Sequence, residues 1–124
     1  MLGNKKAVAN LAVKNLDVAM KFYRDTLGLT PVHQAEQDVV VFRSGTSEIN
    51  VYRSEYAGTN KATAVTWTVD DVRREVADLK SRGVTFEHYD MPGMTRVGDV
   101  YATDDMEVAW FKDPDGNILN VASR

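Results

Sequence analysis

The chain contains no cysteine. Disulfides, zinc–thiolate sites and thiol catalysis are therefore excluded, and the absence fits an expected cytoplasmic location. Only two histidines are present, His33 and His88. No run of like charge is longer than a pair such as Lys5-Lys6 or Arg73-Arg74, and the net charge is −3. Nucleic acid and anionic membrane are not expected as partners, because each requires a basic patch. No apolar run approaches the ~20 residues that cross a bilayer. The opening Met1-Leu2-Gly3-Asn4-Lys5-Lys6 leads straight into a predicted strand, with no signal-peptide core expected.

What is present is a repeat. Val13-Lys14-Asn15-Leu16 opens a helical stretch, and Val69-Asp70-Asp71-Val72 opens another 56 residues later. Each follows an apolar-alternating strand. Each half closes on a similar segment, Ile49-Asn50-Val51 and then Leu119-Asn120-Val121. A two-fold repeat tends to build its pocket between its copies. With 124 residues, the expectation is one domain over 1–124, made of modules at about 5–55 and 62–124.

Period-2 alternation predicts a strand over Ala7–Val13. Asn15 or Asp17 can cap a helix reaching about Leu27, with Leu16, Met20, Tyr23 and Leu27 on one stripe and Gly28 ending it. Strands are predicted at about 31–36, 38–43 and 48–54, with a hairpin turn at Ser44-Gly45-Thr46-Ser47. In the second half a strand is predicted over Thr63–Val69. Asp70 or Asp71 caps a helix whose stripe is Val72, Val76 and Leu79, and Gly83 ends it. Further strands are predicted at 84–89, 107–112 and 118–123, with Met91-Pro92-Gly93-Met94 as a loop. Asp113-Pro114-Asp115-Gly116-Asn117 reads as a structural turn, since Pro fixes φ and Gly accepts positive φ.

Each helix must bury its stripe on one sheet face. The more apolar strand faces are Leu11 and Val13, Ile49 and Val51, Val65, Trp67 and Val69, and Leu119 and Val121. The opposite faces are mixed: Val8, Asn10 and Ala12; Glu48, Asn50 and Tyr52; Ala64, Thr66 and Thr68; Ile118, Asn120 and Ala122. A mixed face with scattered polar groups is what a small-molecule cleft looks like, the alternative being a surface for solvent or a partner subunit. Of the aromatics, Trp67 is expected to pack on the second helix and Tyr52 to face the cleft. Parity leaves the sides of Trp110 and Phe111 open.

Asn10-Leu11-Ala12-Val13-Lys14-Asn15-Leu16-Asp17, with Phe22-Tyr23, Leu27-Gly28-Leu29 and Phe111-Lys112-Asp113-Pro114-Asp115-Gly116-Asn117, resembles the vicinal oxygen chelate superfamily. That superfamily holds glyoxalases, bleomycin-resistance proteins and extradiol dioxygenases. The resemblance implies an α+β fold of two tandem βαβββ modules, forming a curved mixed sheet around a cleft with the helices on the outer face, and a homodimer. Metal-using members place ligands at four strand positions. Here the resemblance puts those positions on Val8, Asn50, Ala64 and Asn120, none of which is His, Asp or Glu.

No metal or other cofactor is therefore expected. Asn50 and Asn120 can bond each other reciprocally or address one ligand. His88 has only Asp90 nearby in sequence as a possible co-ligand, and Glu48 could serve as a base. The expected function is metal-independent binding or sequestering of a small molecule. The cleft residues are Val8, Asn10, Glu48, Asn50, Tyr52, Ala64, Thr66 and Asn120, with no catalytic residue assigned. The alternative is a glyoxalase-type metal-dependent lyase, isomerase or dioxygenase. A metal-free enzyme using Glu48, Tyr52 or His88 as acid or base is a third reading, one that no residue spacing supports.

Overall fold

A computed structural model describes residues 1–36 and 38–123, apart from the side chains of 33–36. The chain divides into two compact units, Met1–Ala57 and Gly58–Arg124. The first runs β1 (Ala9–Val13), α1 (Leu16–Met20), β2 (Thr30–Glu36), β3 (Val39–Ser44) and β4 (Ser47–Arg53). The second runs β5 (Thr63–Thr68), α2 (Val72–Ser81), β6 (Phe86–Glu87), β7 (Thr95–Val97), β8 (Val100–Ala102), β9 (Glu107–Lys112) and β10 (Ile118–Ala122). The architecture is α+β with two mixed sheets, as expected.

The two sheets repeat one topology. In the first the order is β1-β4-β3-β2, with β1 parallel to β4 and the rest antiparallel. In the second, β5 lies parallel to β10, β10 pairs antiparallel with β9, and β6 pairs with β9. Both parallel pairs join the first and last strands of their unit, which requires the helical crossover between them.

The helix starts follow the capping residues. Asn15 Oδ1 accepts from the backbone N–H of Asp17 (2.9 Å) and Val18 (3.2 Å), and Asp71 Oδ1 accepts from that of Arg74 at 3.1 Å. Each satisfies donors that a helix N-terminus leaves unpaired. α2 buries Val72, Val76 and Leu79 as its stripe predicts. The first helix differs from expectation after Met20. Lys21–Thr26 is π-helical, and Leu27 N–H bonds to Phe22 O, five residues back. The i, i+4, i+7 stripe carries no sign of this widened turn.

Tyr23 remains fully buried and packs on Phe42, ring centroids 5.9 Å apart. Phe42 therefore belongs to the helix-covered face and not to the mixed one. In the second unit Phe111 has the same role, stacked with Trp67 at 6.4 Å and edge-on to Phe86 at 5.6 Å. Leu11, Val13, Ile49, Val51, Leu119 and Val121 are buried as predicted, whereas Val65, Trp67 and Val69, on the face of β5 also predicted to be covered, are half-buried.

Three boundaries are corrected. The first strand begins at Ala9, leaving Val8 just before it. The strand expected over 84–89 contracts to Phe86–Glu87. The third change explains the second: β7 and β8 form a hairpin that the sequence reading missed, and β8 takes the Glu107–Val108 end of β9. β6 keeps only the Trp110–Phe111 end. A Gly98-Asp99 turn joins β7 to β8, and that dipeptide is itself a hairpin signal.

Candidate functional site

In the first unit the mixed face is closed on itself. The parallel register sets Asn10 beside Asn50, and Asn50 Nδ2 donates to Asn10 Oδ1 at 3.2 Å. The Asn10 amide in turn reaches the Val8 carbonyl at 3.5 Å. Val8 is half-buried and Asn10 exposed. Glu48, the candidate base, pairs with Lys6 Nζ at 2.8 Å. Tyr52 is half-buried, beside Ala12 and Val39 in register. His33 lies in β2, and its side chain falls outside the described residues.

The second unit repeats this frame with different chemistry. The register sets Thr66 beside Asn120, as Asn10 sits beside Asn50. Asn120 is only 7% exposed. Among the described residues its buried Oδ1 has no hydrogen-bond partner, so the Thr66 hydroxyl does not reach it. Ala64 and Thr66 are exposed. Opposite Asn120 on β9 stands Trp110, which settles the side that parity left open. Its Nε1–H donates to Thr63 Oγ1 at 3.1 Å, reaching from β9 across β10 to β5. A register shift between Ile118 and Leu119 sets Thr63 opposite Ile118, on the mixed side.

Two tyrosines meet the Trp110 ring edge-to-face, Tyr101 at 5.3 Å and Tyr89 at 5.7 Å. Tyr101 Oη accepts from the Tyr89 backbone N–H and donates to the Tyr89 carbonyl at 2.8 Å. Tyr89 Oη, like Asn120 Oδ1, is buried with no partner among the described residues. Loss of hydration pushes the Tyr89 hydroxyl above the usual phenol range, because burial penalises the phenolate. Met91, Met94 and Met106 pack with Trp110 against the buried cluster of Tyr101, Val108 and Ala122. Nothing in the residue pattern marks these methionines as neighbours of the cluster.

His88 takes Asp99 as its partner, not Asp90. Asp99 Oδ1 lies 2.7 Å from His88 Nε2, and Asp99 Oδ2 accepts from Lys80 Nζ, also at 2.7 Å. Lys80 first, then His88, holds the Asp99 carboxyl below its ordinary range. A depressed carboxylate stabilises the fold above the unfolded-state value and loses that contribution as pH falls through the folded-state value. Asp99→Asn is therefore expected to cost about 1–2 kcal/mol near pH 7. The gap between wild type and variant should shrink below about pH 4, where the unfolded-state carboxyl also protonates. Thermal melts of both proteins from pH 7 to pH 3 measure this, and a gap constant with pH would count against the ion-pair origin.

The four positions at which a metal would be expected do not fit one. Val8 and Ala64 have no side-chain donor atom, and Asn50, whose Nδ2 donates to Asn10, offers only a neutral amide oxygen. Asn120 offers one neutral oxygen, at most an auxiliary ligand. Among the described residues no group of three or more His, Asp or Glu gathers to hold a metal ion. Among the same residues no helix is long and apolar enough to cross a membrane.

Two units, each running strand, helix and further strands, with first and last strands parallel and a polar residue on the last strand's mixed face, define a class of paired-module proteins. A family model described as the Glyoxalase/Bleomycin resistance protein/Dioxygenase superfamily matches residues 7–121, and the chain belongs to that superfamily. No curated protein matches it. Among solved structures it is similar to lactoylglutathione lyase from Agrobacterium tumefaciens, at 19% identity and a TM-score of 0.71, covering 97% of this chain and 93% of the other. It is also similar to TnmS3, an antibiotic binding protein from Streptomyces sp. CB03234, at 19% identity and a TM-score of 0.72, covering 99% and 98%. A glyoxalase/bleomycin resistance protein from the same organism is 20% identical with a TM-score of 0.66, covering 94% and 98%. At these identities the likeness establishes the fold.

Proposed function

We propose that this chain binds or sequesters a small molecule without a metal, on the mixed faces of its sheets. The observation that carries this reading is the donor set. At the four positions where the family's metal chemistry needs charged or imidazole ligands stand Val8, Asn50, Ala64 and Asn120. A glyoxalase-type lyase or a dioxygenase has no ligand set to start from in those side chains. Glu48, which could have acted as a base, is ion-paired with Lys6. TnmS3, which shares the fold, is an antibiotic binding protein, and that supports a binding role within this architecture.

Elemental analysis of protein purified without a histidine tag tests the reading, before and after soaking in nickel, zinc, iron and manganese. The expected result is far less than one equivalent of any metal. Stoichiometric tight binding of one of them would overturn it. A thermal-shift screen of small aromatic and peptide-like compounds then reports binding directly, since a ligand at 100 times its Kd raises stability by about 2.7 kcal/mol. The homodimer that the family resemblance implies can be read by light scattering on the same samples.

A further inference from the structure

We infer that Met91, Met94 and Met106 form an oxidant-responsive latch in the second unit. A hydroperoxide converts their thioethers to sulfoxides, and the two loops that carry them come off the cluster of Tyr101 and Trp110. This is independent of what the chain binds. With no cysteine present, methionine is the chain's only sulfur. Of the five methionines, these three pack with Trp110 on one buried cluster of Tyr101, Val108 and Ala122. They reach it from two loops. Met91 and Met94 lie in the loop between β6 and β7, where Met94 N–H donates to Met91 O at 3.2 Å. Met106 ends the turn between β8 and β9, where its N–H reaches Thr103 Oγ1 at 3.3 Å. All three stand outside the strands and are half-buried.

Half-burial leaves each residue within reach of an oxidant as small as hydrogen peroxide, while its side chain still supplies apolar contact. The sulfur lone pair attacks one peroxide oxygen. An S–O bond forms, the O–O bond breaks, and the departing hydroxide takes the proton from the transferred oxygen to leave as water. The thioether is oxidised by two electrons and the peroxide is reduced. The sulfoxide is polar and a hydrogen-bond acceptor, so keeping it against Val108 and Ala122 buries an acceptor that those side chains cannot satisfy. The loops therefore lift. Tyr101 Oη holds both backbone groups of Tyr89, two residues before Met91, so the loosening reaches that anchor as well. Met1 is fully exposed, so its oxidation leaves the packing unchanged. Met20, half-buried in α1 of the first unit, is a second comparator.

The test treats the full chain with hydrogen peroxide and follows sulfoxide at each methionine by peptide mass mapping. The indole N–H resonance of Trp110 reports the cluster, with that of Trp67 as reference and Trp67→Phe to assign the pair. The Trp110 resonance is expected to leave its native position in step with oxidation of the three methionines. Tm is expected to fall by roughly 5–10 °C. Methionine sulfoxide reductases A and B together should restore both. Combined Met91→Leu, Met94→Leu and Met106→Leu, which nearly conserves volume, should limit the fall to about 2 °C while Met1 and Met20 still oxidise. Three methionines that stay reduced at doses converting Met1 would overturn the inference. So would an unmoved Trp110 resonance and Tm once all three are sulfoxides, or the same fall in the leucine variant. The first two outcomes are read on wild type alone, so they decide the matter even if the leucine variant does not fold.

Discussion

Replacing Gly58 by alanine is expected to lower stability by about 3–4 kcal/mol, among the larger costs a single substitution imposes. Two effects add. Gly58 has φ +73°, and an L-residue there pays roughly 1–2 kcal/mol because its Cβ crowds the following carbonyl. In addition, a Cβ at Gly58 would overlap the backbone carbonyl oxygen of Asp115. That obstacle is main chain, so no side-chain rotation relieves it, and the 113–117 loop has to move. Gly28 separates the two effects. Its φ is +79°, but a Cβ there meets nothing within 4 Å, so Gly28→Ala is expected to cost only about 1 kcal/mol. Urea midpoints of the two variants measure the difference, and equal midpoints would show that the contact with Asp115 contributes nothing.

The close approach at Gly58 shows what a sequence can and cannot convey. Tyr56 to Ala62 reads as a polar linker, and Gly58 reads there as ordinary flexibility. Nothing local marks it as the residue lying against the carbonyl of Asp115, 57 positions away. Periodic signals fared better. The α2 stripe, both caps and the covered sheet faces follow from 3.6- and 2-residue spacing, because burial of one face imposes those periods. The π-helical turn after Met20 was not legible, since it changes hydrogen-bond spacing without changing composition.

The β7–β8 hairpin was legible and was overlooked: Gly98-Asp99 sits between Thr95-Arg96-Val97 and Val100-Tyr101-Ala102. The sides of Trp110 and Phe111 were also within reach. The Asp113–Asn117 turn pairs Lys112 with Ile118, and counting back from it places Trp110 opposite Asn120. Cross-strand partners share a face, so Trp110 had to join Asn120 and Phe111 had to join the helix side.

The repeat itself has a double meaning. As topology it keeps the parallel pairing of first and last strands in each unit, with the β7–β8 hairpin added in the second. As chemistry it diverges at one step, where Asn10 beside Asn50 becomes Thr66 beside Asn120. A sequence comparison of the halves aligns two amides and reports symmetry. Only the neighbouring strand shows that the Asn50 nitrogen has an amide partner in Asn10, whereas Asn120 stands beside a threonine.

Asn120 is positioned by the strand that follows the 113–117 turn, which leads to the second large prediction. Asp113→Ala is expected to cost about 3 kcal/mol. Asp113 is buried, and its Oδ1 accepts from the backbone N–H of Asp115 (3.0 Å) and Asn117 (2.9 Å), while Oδ2 accepts from Asn117 Nδ2 at 2.8 Å. Alanine leaves three donors without that acceptor, two of them on a buried residue. Asp113→Asn is expected to cost roughly half as much, since one oxygen remains for the backbone while its new amide faces the Asn117 amide. Exchanging the two residues, Asp113→Asn with Asn117→Asp, restores a donor facing an acceptor and should recover part of the loss. Chemical denaturation of the four proteins checks the order. An alanine variant within 1 kcal/mol of wild type would mean that Pro114 and Gly116 hold the turn without the carboxylate. Gly58→Ala displaces the same loop, so combining it with Asp113→Ala should cost less than the two single losses together, by about 1 kcal/mol.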